Sequence, residues 1–277
     1  MENQDSQNEL SDLTMSYLRS RPKSESSKIG QFFTPRLLRE ELCRNIEFKS
    51  GMKVLDPGVG TGEFLRSCLD IEKNLEIHGW DIDAGALEVA SKLVPEAKLT
   101  NCSALENKSS QEFDVVIGNP PYFEIRNLDS KLRNDYRDVI RGRPNIFALF
   151  FKAGLTLLKE GGILAFVVPP SMNNGAYFRP LRQYIAANTR IEFLKIFTET
   201  NIFQDAQTAV QLIILRKGAE GKNFQIDLGK LSGRNERNIV FSDDTYSIRE
   251  DFLQGSTLWQ LGYEAITGSI VWNQNKE

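Results

Sequence analysis

Histidine is nearly missing from this chain of 277 residues: His78 is the single one. Cysteine is scarce as well, with Cys43, Cys68 and Cys102 scattered and odd in number. A histidine–cysteine metal centre therefore has no ligand set, and a disulfide framework has no spacing to build on. Long apolar runs are also lacking, since none approaches the roughly 20 residues that cross a bilayer. The opening "MENQDSQNELSDL" is polar and acidic, unlike a secretory signal. Nor is there a surplus of positive charge: 34 Lys and Arg face 37 Asp and Glu, a net of -3. That balance gives no sign of a general polyanion binder and leaves any nucleic-acid contact to local patches. The composition reads as a reduced, cytoplasmic, metal-free protein with no membrane partner.

What is present is ordinary for a globular chain, with 40% hydrophobic and 26% charged residues. The length allows one large α/β domain with a small appendage. Residues 1–29 read as a polar lead-in, 30–217 as the main domain, and 218–277 as a polar, turn-rich tail. Between them β and α signals alternate. Strands are expected at 53–55, 75–80, 97–100, 113–118, 163–168, 191–197 and 210–215. Helices are expected at 36–46, 62–69, 84–93, 146–158 and 177–187. This rhythm predicts a doubly wound, mostly parallel sheet. One basic stretch stands out, with Arg126, Lys131, Arg133, Arg137, Arg141 and Arg143 against Asp129, Asp135 and Asp138. A solvated loop and a phosphate-contacting loop both fit it.

Two stretches carry chemistry. "VLDPGVGTGEFL", 54–65, is a strand, an acid, a glycine-rich turn and a helix start. Gly58, Gly60 and Gly62 would let the backbone turn sharply and approach a ligand, and the helix N-terminus offers free N–H groups. No Lys-Ser or Lys-Thr follows, so it is not a Walker loop. Asp81 ends the next strand about 20 residues on, where such folds place an acid on a ribose diol. Asp83, before Ala84, reads as a helix N-cap, and His78 as a core or edge residue. The second stretch is "FDVVIGNPPYFEI", 113–125. Two prolines cannot continue a strand or donate backbone hydrogen bonds, so the strand ends in a stiff, donor-poor turn holding Asn119 and Tyr122. In a doubly wound sheet the first and fourth strands are neighbours, so both stretches should open into one crevice.

Together "GNPPY", "DPGVGTGEFL" and the preceding "GQFFTP", 30–35, resemble the gamma group of adenine-N6 DNA methyltransferases, the modification enzymes of restriction-modification systems. The resemblance covers residues 28–216 and implies a Rossmann-like, seven-stranded methyltransferase fold, S-adenosyl-L-methionine as cofactor and double-stranded DNA as substrate. It implies that Phe32, Thr34 and Pro35 help hold the methionine end of the cofactor. Asp56, Pro57 and the three glycines would form the cofactor loop, with Asp81 and Ile82 beyond it. Asn119 and the carbonyl of Pro120, stiffened by Pro121, would accept the two hydrogens of the adenine amine. Tyr122 would stack on the extruded base, with Phe203 against its other face or edge, and Phe150 would line the cofactor adenine. Ser103 stands where the family has an Asp for the adenine amine, and Asn101 could serve in its place. A target-recognition domain follows the catalytic domain in this family; "GSIVWNQNKE" resembles the joint where it begins. The resemblance also implies a separate specificity partner or a cognate restriction endonuclease as candidate partners. Protein-glutamine and ribosomal guanine methyltransferases share Asn-Pro-Pro-Tyr, and a non-catalytic DNA-binding subunit could keep the fold, so these readings stand beside it.

Overall fold

The computed structural model describes residues 10–20, 33–106, 111–173, 175–197 and 209–218, and the backbone of 237–242 and 245–250. Apolar alternation explains the sheet. Leu55, Val116, Leu164, Phe166, Ile213 and Leu215 fall in one buried cluster. Their neighbours Val54, Val115, Ile117, Ile163, Ala165, Leu212 and Ile214 fall in the other. Successive strand residues point to opposite faces, so both faces of these strands are covered.

The strands are β1 (Lys53–Asp56), β2 (Glu76–Asp81), β3 (Lys98–Asn101), β4 (Phe113–Gly118), β5 (Leu158–Val168), β6 (Thr189–Phe197) and β7 (Val210–Lys217). They form one seven-stranded sheet in the order β3-β2-β1-β4-β5-β7-β6. The first five run parallel, and β7 is antiparallel to both β5 and β6. The helices are α1 (Asp12–Ser20), α2 (Arg36–Arg44), α3 (Glu63–Ile71), α4 (Ala84–Leu93), α5 (Ser130–Asp135), α6 (Ile146–Leu157) and α7 (Arg179–Asn188). α6 lies on one face, through Phe147, Phe150 and Phe151. α2 and α3 lie on the other, through Leu38, Leu42, Phe64 and Leu65. Among the described residues no helix is long and apolar enough to cross a membrane.

Several elements differ from the sequence expectation. Residues 1–29 are more than a lead-in: they contain α1, whose Thr14 is completely buried. β5 begins at Leu158 rather than 163, because Leu158 pairs with Phe113 before a shift in register. Gly161, at φ +74°, turns the chain within that strand. The helix expected at 177–187 is a 3-10 turn, Ala176–Phe178, followed by α7. Pro180 sits in the first turn of α7, where its missing N–H costs nothing. α5 was not anticipated; Asp129 starts it by accepting from the N–H groups of Lys131 and Leu132. The stretch 218–277 is not only a turn-rich tail, since β8 (Arg237–Ser242) and β9 (Thr245–Glu250) pair as an antiparallel hairpin. β9 packs against α7 and the 3-10 turn Pro170–Asn173.

Candidate active site

β1 and β4 are adjacent and parallel, with Val54 opposite Val115 and Leu55 opposite Val116. Asp56 and Gly118 therefore end side by side at the carboxyl edge of the sheet. Beyond them a single cavity is lined by Asp56, Pro57, Gly58 and Gly60 from the glycine loop, and by Asn119 and Pro121 from the proline turn.

The glycine loop is wound around two carboxylates. The Gly58 N–H donates to Asp56 Oδ1 at 3.0 Å, and the Gly60 N–H to Asp81 Oδ2 at 2.8 Å. The Asp83 N–H donates to Asp81 Oδ1 at 2.9 Å. Gly60 takes φ +51° and Gly62 φ +90°, left-handed values that favour glycine. Gly62 does not line the cavity. It precedes α3, and a Cβ there would lie 3.0 Å from Val94 Cγ2, so it lets α3 pack against α4. Burial pushes the Asp56 carboxyl up to about 8, despite the Gly58 bond, and Asp81 nearby adds to the rise. Burial also raises Asp81, against the pull of the Asp83 and Gly60 N–H groups.

The loop is buttressed from behind by α1. The Thr14 hydroxyl donates to Glu63 Oε1 at 2.7 Å and lies 2.8 Å from Thr61 Oγ1. The Ser11 N–H donates to the same Glu63 oxygen at 2.8 Å. Arg39 of α2 forms a buried ion pair with the other Glu63 oxygen. Burial pushes the Glu63 carboxyl up, yet the charge and hydrogen bonds of Arg39 outweigh it and hold the group below its ordinary value. Farther along α1 the Tyr17 hydroxyl donates to Asp83 Oδ2 at 2.8 Å. Asp83 caps α4 as expected, accepting from the N–H groups of Gly85 and Ala86.

The proline turn is held differently. The Tyr122 hydroxyl stands within hydrogen-bond reach of two acceptors, Asn119 Oδ1 and the carbonyl of Val167, the latter at 2.7 Å, which share its single proton. Its ring meets Phe147 edge-on at 6.4 Å between centroids, and Phe147 stacks on Phe178 at 5.0 Å. Burial holds the phenol well above its ordinary range, so it stays a donor. The chain leaves the turn through a clasp in which Ile125 N–H donates to Pro144 O at 2.8 Å and Ile146 N–H to Phe123 O at 3.0 Å.

The cavity brings together Thr34, Asp56, Pro57, Gly58, Gly60, Asp81, Ile82, Ser103, Asn119, Pro121 and Phe150 among the residues singled out from the sequence. It leaves out Pro35, Gly62, Asn101, Pro120 and Tyr122. Asn101 is exposed and donates its side-chain amide to the Asp81 carbonyl at 2.9 Å, so Ser103 is the one of the two that faces the cavity. Tyr122 has its hydroxyl turned inward rather than lying along the cavity wall. Phe32 and Phe203 lie outside the described residues. His78 sits within β2 against Glu76 and Phe113, away from the cavity. Sequence reasoning missed Phe33, Arg39, Thr61, Glu63, Cys102 and Phe123 as lining residues. Thr61 and Glu63 stand inside the glycine motif, which was the available signal; Arg39 had none.

The profile described as Eco57I restriction-modification methylase matches residues 66–203. Modification methylase CviBIII of Paramecium bursaria Chlorella virus NC1A is 30% identical over 74% of this chain and 54% of its own length. Type II methyltransferase M.AccI of Acinetobacter calcoaceticus is 26% identical over 90% of this chain and 49% of its own. The chain thus spans about half the length of these curated relatives. In three dimensions it resembles a structure from Listeria monocytogenes assigned to the class I S-adenosylmethionine-dependent methyltransferases. The TM-score is 0.66 at 23% identity, over 80% of this chain and 72% of that one. Fold and sequence agree, and the chain belongs to the restriction-modification methylase family.

Proposed function

We propose that this chain transfers a methyl group from S-adenosylmethionine to the exocyclic N6 of an adenine extruded from double-stranded DNA, as the modification activity of a restriction-modification system. The observation that carries the reading is the shared cavity, in which the glycine loop and Asn119 and Pro121 of the proline turn face the same space.

The residues present suit the cofactor. Asp56 and Asp81 are two buried carboxylates in one cavity, an arrangement that favours a ligand carrying a sulfonium and an ammonium. Asp81 has lone pairs beyond those taken by Gly60 and Asp83 with which to accept ribose hydroxyls. The first turn of α3 offers N–H groups to the ligand carboxylate, beside Thr34. Phe150 and Ile82 offer apolar contact to the adenine moiety, and Ser103 a single hydrogen bond. The cofactor supplies an electrophilic methyl group.

The chain's own work falls on the substrate amine, whose lone pair is delocalised into the ring. Asn119 Oδ1 and the Pro120 carbonyl would accept its two hydrogens and leave the lone pair directed at the methyl carbon. An amide oxygen has two lone pairs, so a bond from the Tyr122 hydroxyl leaves capacity for the amine. That bond also orients the amide beforehand, which reduces reorganisation during transfer. A target-recognition domain, a specificity subunit and a cognate endonuclease are the partners this reading implies.

The test is incubation with isotopically labelled cofactor and duplex DNA, followed by digestion and mass spectrometry of nucleosides. Label in N6-methyladenine is expected. Label confined to cytosine, to ribosomal RNA or to a glutamine of a translation release factor would overturn the reading.

A further inference from the structure

The basic stretch left open by the sequence acquires a definite place in the fold. Residues 126–143 form an excursion closed at its base by the Phe123–Ile125 and Pro144–Ile146 clasp, directly behind the proline turn. Its inner side is anchored: Tyr136 and Val139 are buried, and the Tyr136 hydroxyl donates to the Leu105 carbonyl at 2.9 Å. Its outer side is cationic. Arg126, Lys131, Arg133 and Arg141 are exposed and make no ion pair among the described residues. Two of the acids are occupied elsewhere, Asp129 capping α5 and Asp138 bound by Lys152 at 2.5 Å.

Tyr177 lies against this excursion. A Cβ on Gly142 would stand 3.6 Å from the Tyr177 ring, so the phenol leans over the Arg141–Arg143 bend. It is 68% exposed, the one aromatic among the large apolar side chains left open on the described surface. Its neighbour Phe178 does the packing instead, stacked on Phe147, which in turn touches Tyr122. The carbonyls of Met172 and Gly175, just ahead, are both held by buried Arg182 at 2.8 Å. An open ring on a fixed turn, beside the Arg141–Arg143 bend and two aromatic contacts from Tyr122, offers a flat face for stacking next to cationic side chains.

We infer that Tyr177 and the 126–143 excursion form one ledge that receives the DNA strand beside the extruded base. The inference rests on the DNA-methylation reading. Arg126, Lys131, Arg133 and Arg141 meet phosphates, while the Tyr177 ring stacks on a base face that extrusion uncovers. Charge complementarity identifies the polyanion, and a bare aromatic identifies a flat, unstacked partner.

The test compares an intact DNA duplex with the same duplex carrying one abasic site, by fluorescence anisotropy across a range of salt. The wild type should favour the abasic duplex, and Tyr177→Ala should lose about tenfold in affinity for it with no change in salt dependence. Tyr177→Phe should restore the affinity. Replacing Arg126, Lys131, Arg133 and Arg141 together by Ala should flatten the slope of log K against log salt by about 3–4. Cofactor affinity, unchanged in every variant, certifies the fold. If the wild type methylates DNA while these variants bind like it, the ledge is wrong and the methylation reading survives. If the wild type neither binds nor methylates DNA, both fall.

Discussion

The two sides of the crevice are made of different materials. At the ends of β1 and β2, Asp56 and Asp81 are buried acids held by N–H groups of their own loop, Gly58, Gly60 and Asp83. At the end of β4, Asn119 and Tyr122 are neutral and are backed by Phe147 and Phe178. The first side is acidic, and backbone geometry shapes it. The second is a donor-poor turn, which on the proposed reading would receive an amine, and ring packing with a phenol hydroxyl shapes it. Binding and chemistry should therefore separate under mutation.

The largest expected effect is on the turn. Asn119→Ala should lower turnover by about a hundred- to a thousandfold, as loss of an aligned transition-state acceptor does. Calorimetric cofactor affinity should stay at the wild-type value; a parallel loss of binding would erase the distinction between the two sides. Asp81→Ala is the converse. It removes a carboxylate placed for two hydroxyls and should weaken cofactor binding by about 1.5–3 kcal/mol, roughly ten- to a hundredfold. At saturating cofactor its turnover should recover, and a persistent deficit would count against the assignment.

A smaller effect tests the buttress behind the loop. Thr14→Val keeps the shape but removes the hydroxyl that serves Glu63 and Thr61, and should cost about 1–2 kcal/mol in thermal or denaturant unfolding. Cofactor affinity should fall with it, while Asn119-dependent chemistry should not.

A last effect, on stability alone, is one of pH. Folded Asp56 keeps its proton up to about 8, while the unfolded chain releases it near the ordinary value of about 3.9. Between those values the folded state binds more protons than the unfolded state, so stability falls as pH rises. Melting temperature of the ligand-free protein should drop from pH 5 to pH 8 on this account. Asp56→Asn keeps an acceptor for Gly58 but cannot ionise, and should flatten that drop. An unchanged slope would place the titration elsewhere.

Legibility in the sequence followed the range of the forces involved. α4 and β4 were readable to their end residues, because Asp83 caps one locally and Gly118-Asn119-Pro120 stops the other. The adjacency of β1 and β4 followed from strand order, and with it the shared cavity. α1 was not readable: its anchor is Thr14, a polar residue whose burial depends on Thr61 and Glu63 some fifty positions away. Arg39 was hidden for the same reason, since its partner belongs to another element. The inward turn of Tyr122 depends on the Val167 carbonyl at the end of β5, which no local pattern announces. The start of β5 was obscured by "KEGG", which reads as a turn although the strand continues through it.

Gly118 and Asp56 share a single volume. A methyl group on Gly118 would stand 2.6 Å from Asp56 Oδ1 and 3.2 Å from its Cγ, and the carboxyl could yield only by giving up its bond from the Gly58 N–H. The two sides of the crevice, so different in material, are thus not free to vary separately at this point. Gly118→Ala should be damaging where Asp56 is present and far less so in an Asp56→Ala background, a strongly non-additive cycle. A tolerated change at either position should therefore need a matching change at the other. At this seam the glycine loop and the proline turn act as one piece.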